Sequence, residues 1–344
     1  MRRQGLNLTH VAMEQSDISD KKILIIGPNW LGDGVMAMPA VQAYKKAFPQ
    51  THLTMLVKPK MADLWTMHPA IDEVWTCPEN FPGILRTAGM IRRNNFKTAF
   101  ILPNSFRSAL PPFLGLVPER AGFKGHFRSL LINKIIRRPE SPPHYHQRYE
   151  CAAILGVSLE DDEPPRLNIR GRMIEKARTL LSPEKKWIGL MPGAARGEAK
   201  RWLAEYFADL GRTLRSKHGF MIAVFGSNSE KDLCAGVRCG IGADALDLSG
   251  QTTLPELAAA LSCCAAVVGN DSGGIHLAAA AGAAVVAVYG ITDPEKTLPL
   301  GRKIVVLQES VRHLRDIPRR SKEAENTLRK ITPQAVEEKL FELL

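Results

Sequence analysis

The stretch that decides the fold is AVVGNDSGGIHLAAAAGAAVVAVYG, running from Ala266 to Gly290. Its two ends are short apolar runs rich in valine, the composition of parallel strands buried on both faces. Between them the turn Asn270-Asp271-Ser272-Gly273-Gly274 opens an alanine-rich segment that reads as a helix. A helix N-terminus offers unpaired N–H groups and the positive end of a dipole, and glycines let an anion approach the backbone. Asp271, Ser272, Gly273, Gly274 and His276 therefore read as a seat for the phosphates of a nucleotide-linked ligand. For His276 a core histidine with one satisfied nitrogen is the competing reading.

The same strand and helix alternation extends outward in both directions. Upstream it gives strands at Trp187–Met191, Phe220–Phe225 and Leu246–Leu248, with helices at Trp202–Lys217, Glu230–Cys239 and Thr253–Cys263. Downstream a weaker strand, Lys303–Leu307, precedes a basic irregular segment, and a helix closes the chain from Thr332. Nearer the start, Lys22–Gly27 is a buried strand, and Val35–Phe48 is a helix. Further strands follow at His52–Val57, Glu73–Trp75 and Thr98–Leu102. Alternation of this kind implies parallel sheets with helices on both faces.

The acidic, proline-closed run Leu159–Pro165 is the best break between the two series. We expect a flexible leader over 1–20, a first domain over 21–165 and a linker over 166–185. A second domain over 186–330 and a C-terminal helix over 331–344 complete the chain. The fold class is α/β, two Rossmann-like domains whose parallel sheets face a cleft, with ligands beyond the C-terminal strand ends.

At 344 residues the chain is long enough for two such cores. No apolar run reaches the roughly 20 residues that span a bilayer, and no signal-peptide core is present, so a cytoplasmic location is expected. Six cysteines show no paired C-x2-C spacing and read as reduced thiols, not as a zinc site. The net charge of +11 asks for an anionic partner. Arg120–Arg138 holds six Lys or Arg and no acid, and Gly301–Lys330 nine against four. No nucleic-acid module accompanies this charge. An anionic membrane surface, an anionic substrate or a merely solvated face remain open.

Four loops follow strands and carry the candidate chemistry. Asn29-Trp30-Leu31-Gly32-Asp33-Gly34 sets a carboxylate between glycines, where Asp33 is either a general base or a helix cap. Pro192–Trp202 brings Gly193 and the cations Arg196, Lys200 and Arg201, suited to a departing diphosphate or to a solvated turn. Gly226-Ser227-Asn228-Ser229-Glu230 offers a carboxylate for ribose hydroxyls or an ordinary N-cap. The fourth is the opening motif.

Taken together the loops resemble glycosyltransferase family 9, the bacterial lipopolysaccharide core heptosyltransferases, and within it the second-heptose type. The residues that carry the resemblance are Asn29–Asp33 with Met36–Pro39, Pro192–Ala194 leading to Ala199–Trp202, Phe225–Ser227, Asn270–Gly273 with His276–Ala278, Ile291–Pro294 and Ile331–Pro333. It extends from about Lys22 to the C-terminus. The resemblance implies a GT-B fold and inverting transfer of heptose from ADP-heptose to the first heptose of the inner core on lipid A. It also implies Asp33 as base, with Lys200 assisting catalysis. Gly193, Lys200, Gly226, Ser227, Glu230, Asp271, Ser272, Gly273, Gly274 and His276 would hold the donor. The positive charge of the Arg120–Arg138 segment then gains an anionic acceptor as its reason, and we expect Asn29, Trp30, Arg120, Lys124 and Arg128 to meet it.

No metal-binding D-x-D motif ends a strand, so no metal site and no obligatory cofactor are expected, a divalent cation being at most stimulatory. The expected partners are an ADP-sugar, an anionic lipid A-core acceptor and the inner leaflet of the cytoplasmic membrane, with peripheral attachment and no nucleic acid. Two departures from the family pattern bear on the acceptor. Leu307–Arg329 lacks the cysteine-containing segment common in the second-heptose type, and Asp-Ser-Gly-Gly replaces the more usual Thr-Gly form. A family 9 transferase for another core position or sugar, and a non-catalytic polyanion or membrane-surface binder, are the rival readings.

Overall fold

The computed structural model describes residues 22–125, 127–139, 146–160, 163–195, 200–309 and 322–344. The expected leader over 1–20 lies outside the described residues, as do Arg196–Ala199 of the second candidate loop and residues 310–321 of the basic C-terminal segment.

The first half alternates as its apolar runs require: β1 (Lys22–Ile26), α1 (Leu31–Ala47), β2 (His52–Val57), α2 (Ala62–Thr66), β3 (Glu73–Thr76), α3 (Phe81–Asn94), β4 (Thr98–Ile101), α4 (Phe106–Leu114), β5 (Glu119–Phe123), β6 (Lys134–Ile136) and α5 (Gln147–Leu155). Its six strands are all parallel, in the order β3-β2-β1-β4-β5-β6. Leu24, Ile26, Leu56, Ile101 and Phe96 form part of one core against the helices, each fully buried aliphatic contributing roughly 1.5–3 kcal/mol. Asn80 and Ser105 cap α3 and α4 by accepting from Gly83 and Ser108 N–H groups, which is why those helices start where they do.

The second half continues with α6 (Gly171–Leu180), β7 (Trp187–Met191), α7 (Ala204–His218), β8 (Met221–Val224), α8 (Lys231–Ile241), β9 (Leu246–Asp247), α9 (Leu254–Ser262), β10 (Ala266–Asn270), α10 (Gly273–Ala280), β11 (Ala284–Tyr289), α11 (Pro294–Thr297), β12 (Ile304–Gln308), α12 (Lys322–Arg329) and α13 (Pro333–Leu343). Its sheet is again six-stranded and parallel, β12-β11-β10-β7-β8-β9. Every residue of β7, β10 and β11 is buried, as strands covered on both faces must be. Leu328, Ile331, Val336 and Leu340 bring the chain's end into this core.

Clustering of contacts divides the chain into two compact units that the polypeptide visits more than once. One takes the described residues of Met1–Asn29, Ala37–His144 and Arg148–Glu163; the other takes the described residues of Trp30–Met36, Tyr145–Gln147 and Pro164–Leu344. The opening turn of α1 thus groups with the second unit.

Four elements differ from the sequence reading. The Asn29–Gly34 loop is already helical from Leu31, so Asp33 sits in the first turn of α1, where its charge complements the dipole. The span 166–185, expected as linker, contains α6, tied to α9 by the Lys176–Glu256 ion pair. The basic Arg120–Arg138 segment hides β5 and β6, strands too short and too charged to show an apolar run. Residues 322–329, within the segment read as irregular, form α12. Among the described residues no helix is long and apolar enough to cross a membrane.

Candidate active site

Strand β10 ends in Asn270, whose side chain is fully buried and acts as a staple. Its Nδ2 donates to the carbonyls of Pro192 at 2.8 Å and Gly193 at 3.4 Å, and its Oδ1 accepts from the Trp202 N–H at 2.8 Å. Both ends of the Pro192–Trp202 loop are therefore fastened to the residue preceding Asp271. Trp202 is in turn fixed by its indole N–H, which donates to the Ile331 carbonyl at 2.8 Å, and by edge contact with Phe207.

That scaffold brings Lys200 onto Asp271 in an ion pair that is nearly buried, with 15% and 7% of the two side chains exposed. The pair stands at the N-terminus of α10, where the dipole adds positive potential. Beside it lies Tyr289, whose hydroxyl donates to the Thr297 carbonyl at 2.7 Å; burial raises its pKa well above the ordinary value. His276 is 2% exposed, and burial pushes its imidazole down to about 4, with Asp271 opposing and His146 and Lys200 adding to the fall. The ring is neutral at pH 7, and its Nδ1 has no hydrogen-bond partner. His146 faces it from a short segment of the same unit, its Nε2 within 2.9 Å of the Leu298 carbonyl.

Close packing surrounds these glycines before any ligand is considered. A Cβ at Gly273 would stand 2.7 Å from Leu31 Cβ and 3.1 Å from the Gly32 nitrogen, and one at Gly274 would collide with Met191. At Gly32 a Cβ would stand 3.1 Å from the His276 ring. The first turns of α1 and α10 therefore abut, which carries Asp33 to the neighbourhood of His276 and the Asp271 loop. Gly193 gives room to the Glu230 carboxylate. That carboxylate closes a capping box, accepting from the Ser227 N–H at 2.8 Å and hydroxyl at 2.7 Å. The N-cap alternative for this loop is thus realised, and Gly226 packs against Cys234.

The first unit holds a separate open pocket of about 90 Å³ beyond the C-terminal ends of β1 to β4. Ile26, Leu56, Val57, Ile84 and Pro111 line its apolar side; Asn29, Lys58, Glu79, Ser105, Arg107 and Ser108 supply polar groups. Lys58 pairs with Glu79 at 2.6 Å, and that contact holds the Glu79 carboxyl below the usual range. Arg107 donates to the Glu79 carbonyl.

Of the residues expected to meet an acceptor, Asn29 lines this pocket, whereas Trp30 is half exposed and groups with the second unit. Lys124 is exposed. Arg120 is occupied by the carbonyls of Leu131 and Val117. Arg128 is completely buried: its Nε donates to the Phe123 carbonyl at 2.9 Å, and its guanidinium also reaches the Pro103 carbonyl. Burial against backbone carbonyls makes Arg128 a brace between two strand ends, with no surface left for an acceptor. Among the described residues no three His, Cys, Asp or Glu cluster as metal ligands would.

A family model for glycosyltransferase family 9 (heptosyltransferase) matches residues 84–327. The chain belongs to that family. Lipooligosaccharide heptosyltransferase 2 of Haemophilus ducreyi is 33% identical over 83% of this chain and 88% of its own length. Lipopolysaccharide heptosyltransferase 2 of Escherichia coli K12 is 32% identical, covering 94% and 98%. The solved E. coli ADP-heptose lipopolysaccharide heptosyltransferase II superposes with a TM-score of 0.82 at 27% identity, over 94% of this chain and 98% of that one. The transferase has the GT-B fold, as the resemblance implied, with one six-stranded parallel sheet in each half.

Sequence reading misses six residues of the two sites. Asn270 was quoted only as part of the motif; a buried amide at a strand end, followed by a charged turn, is the signal that marks it. Tyr289, at the end of an apolar strand, and His146, beside a proline-rich stretch, carry no pattern of their own. Lys58, Glu79 and Arg107 come from two loops and the first turn of α4 and meet only in the fold.

Proposed function

We propose that this transferase moves a heptose from ADP-heptose to the first heptose of the lipopolysaccharide inner core, with inversion at the anomeric carbon. The names of its relatives support the donor and acceptor. The observation that carries the chemistry is the Lys200–Asp271 pair, held by Asn270 at the head of α10. A cation and a helix N-terminus aimed at one point suit the charge that develops on a departing diphosphate.

Asp33 takes the proton from the acceptor hydroxyl. That oxygen bonds to the anomeric carbon as the bond to the diphosphate oxygen breaks, and ADP leaves with the electron pair. Lys200 and the α10 N–H groups hold the diphosphate; Ser272, Gly273 and Gly274 keep the backbone close to it. Gly193, Gly226 and Ser227 line the nucleoside side. The pocket over β1 to β4 receives the acceptor glycan, its apolar side against sugar C–H faces and its cations against anionic substituents. The chemistry runs without an obligatory divalent cation.

The acceptor is anchored in lipid, so the enzyme works at the inner face of the cytoplasmic membrane without spanning it. The test is to incubate the protein with ADP-heptose and core oligosaccharides lacking the second heptose, then measure ADP release and product mass. A mass gain of one heptose on the mono-heptosyl core is expected. Transfer only to another core position, or of another sugar, would replace this reading with a different family 9 activity, which the two departures from the family pattern would then explain.

A further inference from the structure

Positive charge and exposed apolar surface are concentrated in the same part of the first unit. Between Phe81 and Arg138 stand eleven Lys or Arg and one acid, Glu119, so almost the whole net charge of +11 resides in this span. The same span holds Phe81, Leu85, Phe106, Phe113, Leu114, Leu116, Phe127, Leu130 and Ile135, nine of the fourteen large apolar side chains that are exposed among the described residues. A solvated basic face has no reason to carry such side chains, and clustered exposed apolar groups mark a surface that meets something.

The most extreme members flank a fixed point. Phe127 is 94% exposed and Leu130 86%, on either side of the buried Arg128. Phe127 is held at a φ of 57°, in the left-handed region that bulky side chains avoid. Arg128 imposes this: its guanidinium is clamped to Phe123 and Pro103, and its carbonyl accepts from Leu131 and Ile132. The strained backbone therefore projects a phenyl ring outward and keeps it there. Arg120 draws the neighbouring groups together, lying 5.5 Å from the Phe113 ring centroid while donating to the carbonyls of Val117 and Leu131, next to Leu116 and Leu130. Lys124, Arg137 and Arg138 flank the tip in sequence, Arg138 lying over the Phe123 ring at 4.8 Å.

We infer that Phe127 and Leu130 form a wedge that inserts into the interfacial layer of an anionic bilayer, with the surrounding cations on lipid headgroups. The chemistry matches its occupant on both counts. Apolar side chains gain by leaving water for the acyl boundary, and each Lys or Arg near a negatively charged leaflet adds attraction. The wedge requires no transmembrane helix. It rests on the reading above that the acceptor is lipid-borne, and it specifies which residues bring the enzyme to it.

The test is co-sedimentation of the full chain with vesicles of phosphatidylcholine containing 30% phosphatidylglycerol, beside pure phosphatidylcholine vesicles, at low and high salt. A Phe127→Asn, Leu130→Ser variant removes the wedge while supplying a residue that tolerates the left-handed backbone, and its thermal unfolding should match that of the parent. The parent is expected to bind anionic vesicles, and the variant about tenfold more weakly, since two apolar insertions are lost. The variant should keep full turnover on a delipidated core oligosaccharide and lose turnover on the same acceptor in vesicles. Equal vesicle binding by parent and variant would overturn the wedge and leave membrane attachment standing. No binding of the parent to anionic vesicles would overturn both.

Discussion

Counting strands from the start of each half, both sheets run in the order 3-2-1-4-5-6, so each reverses direction between its first and fourth strands. Ligands of such sheets bind beyond the strand ends at that reversal. In the second half the reversal lies between β7 and β10, where the Pro192 and Asp271 loops meet through Asn270. In the first half it lies between β1 and β4, where Gly27, Asn29 and Ser105 edge the open pocket. The two places are equivalent in topology and opposite in finish. One, the proposed diphosphate seat, is packed tight around an ion pair and glycines. The other, the proposed acceptor pocket, is open and lined by side chains from several elements.

The sharpest way to break this contrast is at Asp33, in the first turn of α1. Asp33→Ala should lower turnover by about 10²- to 10⁴-fold while ADP affinity, read by calorimetry, stays within about twofold. A variant that turns over normally would take Asp33 out of the mechanism. Next comes Asn270→Ala, which frees both ends of the Lys200 loop. It should cost roughly 2–4 kcal/mol in chemical denaturation and reduce kcat/KM for the donor about 100-fold, with acceptor KM little changed. Damage to both substrates alike would show that the staple serves the fold at large. On the other side, Lys58→Ala with Arg107→Ala should raise the acceptor KM about tenfold and leave donor KM alone. A donor effect from that pair would dissolve the division of labour.

Each half also buries a histidine whose pKa is lowered by burial, and these separate the two by pH. Burial pushes His276 down to about 4 and His68 down to about 3. The unfolded chain binds their protons near the ordinary 6.5, whereas the folded chain refuses them until far lower pH. Stability therefore falls as pH drops below about 6.5, by up to about 1.4 kcal/mol per unit for each ring. His276→Gln should flatten the slope between pH 6.5 and about 4, leaving the part due to His68; an unchanged slope in denaturant titrations would exclude His276 as its source. The smallest expected effect is that of EDTA, which should leave turnover unaltered in a metal-free buffer.

In the second half the Asp271 turn is legible in the sequence because its residues are nearly consecutive, whereas Lys200 and Tyr289 reach it only in the fold. Asp271, Ser272, Gly273, Gly274 and His276 fall within one turn and one helix, and valine runs on either side declare the strands. The first half's pocket had no such signature. Lys58, Glu79 and Arg107 are ordinary surface residues in one dimension and meet only because parallel crossovers return each loop to the same sheet edge. Charge misleads where burial decides: the basic neighbours of Arg128 suggest an anion contact, but its guanidinium is buried and two of its nitrogens donate to backbone carbonyls. Short strands β5 and β6 escaped because three to five residues with lysine or arginine among them show no periodicity.

The interleaved path of the chain bears on how this protein can be taken apart. A cut between Glu163 and Pro164 follows the main division, yet it leaves Trp30–Met36 and residues 146–147 on the N-terminal piece although they pack in the second unit. The C-terminal piece would then lack Gly32 against Gly273 and His276, and the Asp271 loop would lose a wall. Split at that point, the enzyme is suited to a complementation assay: two silent fragments whose reassembly restores ADP release.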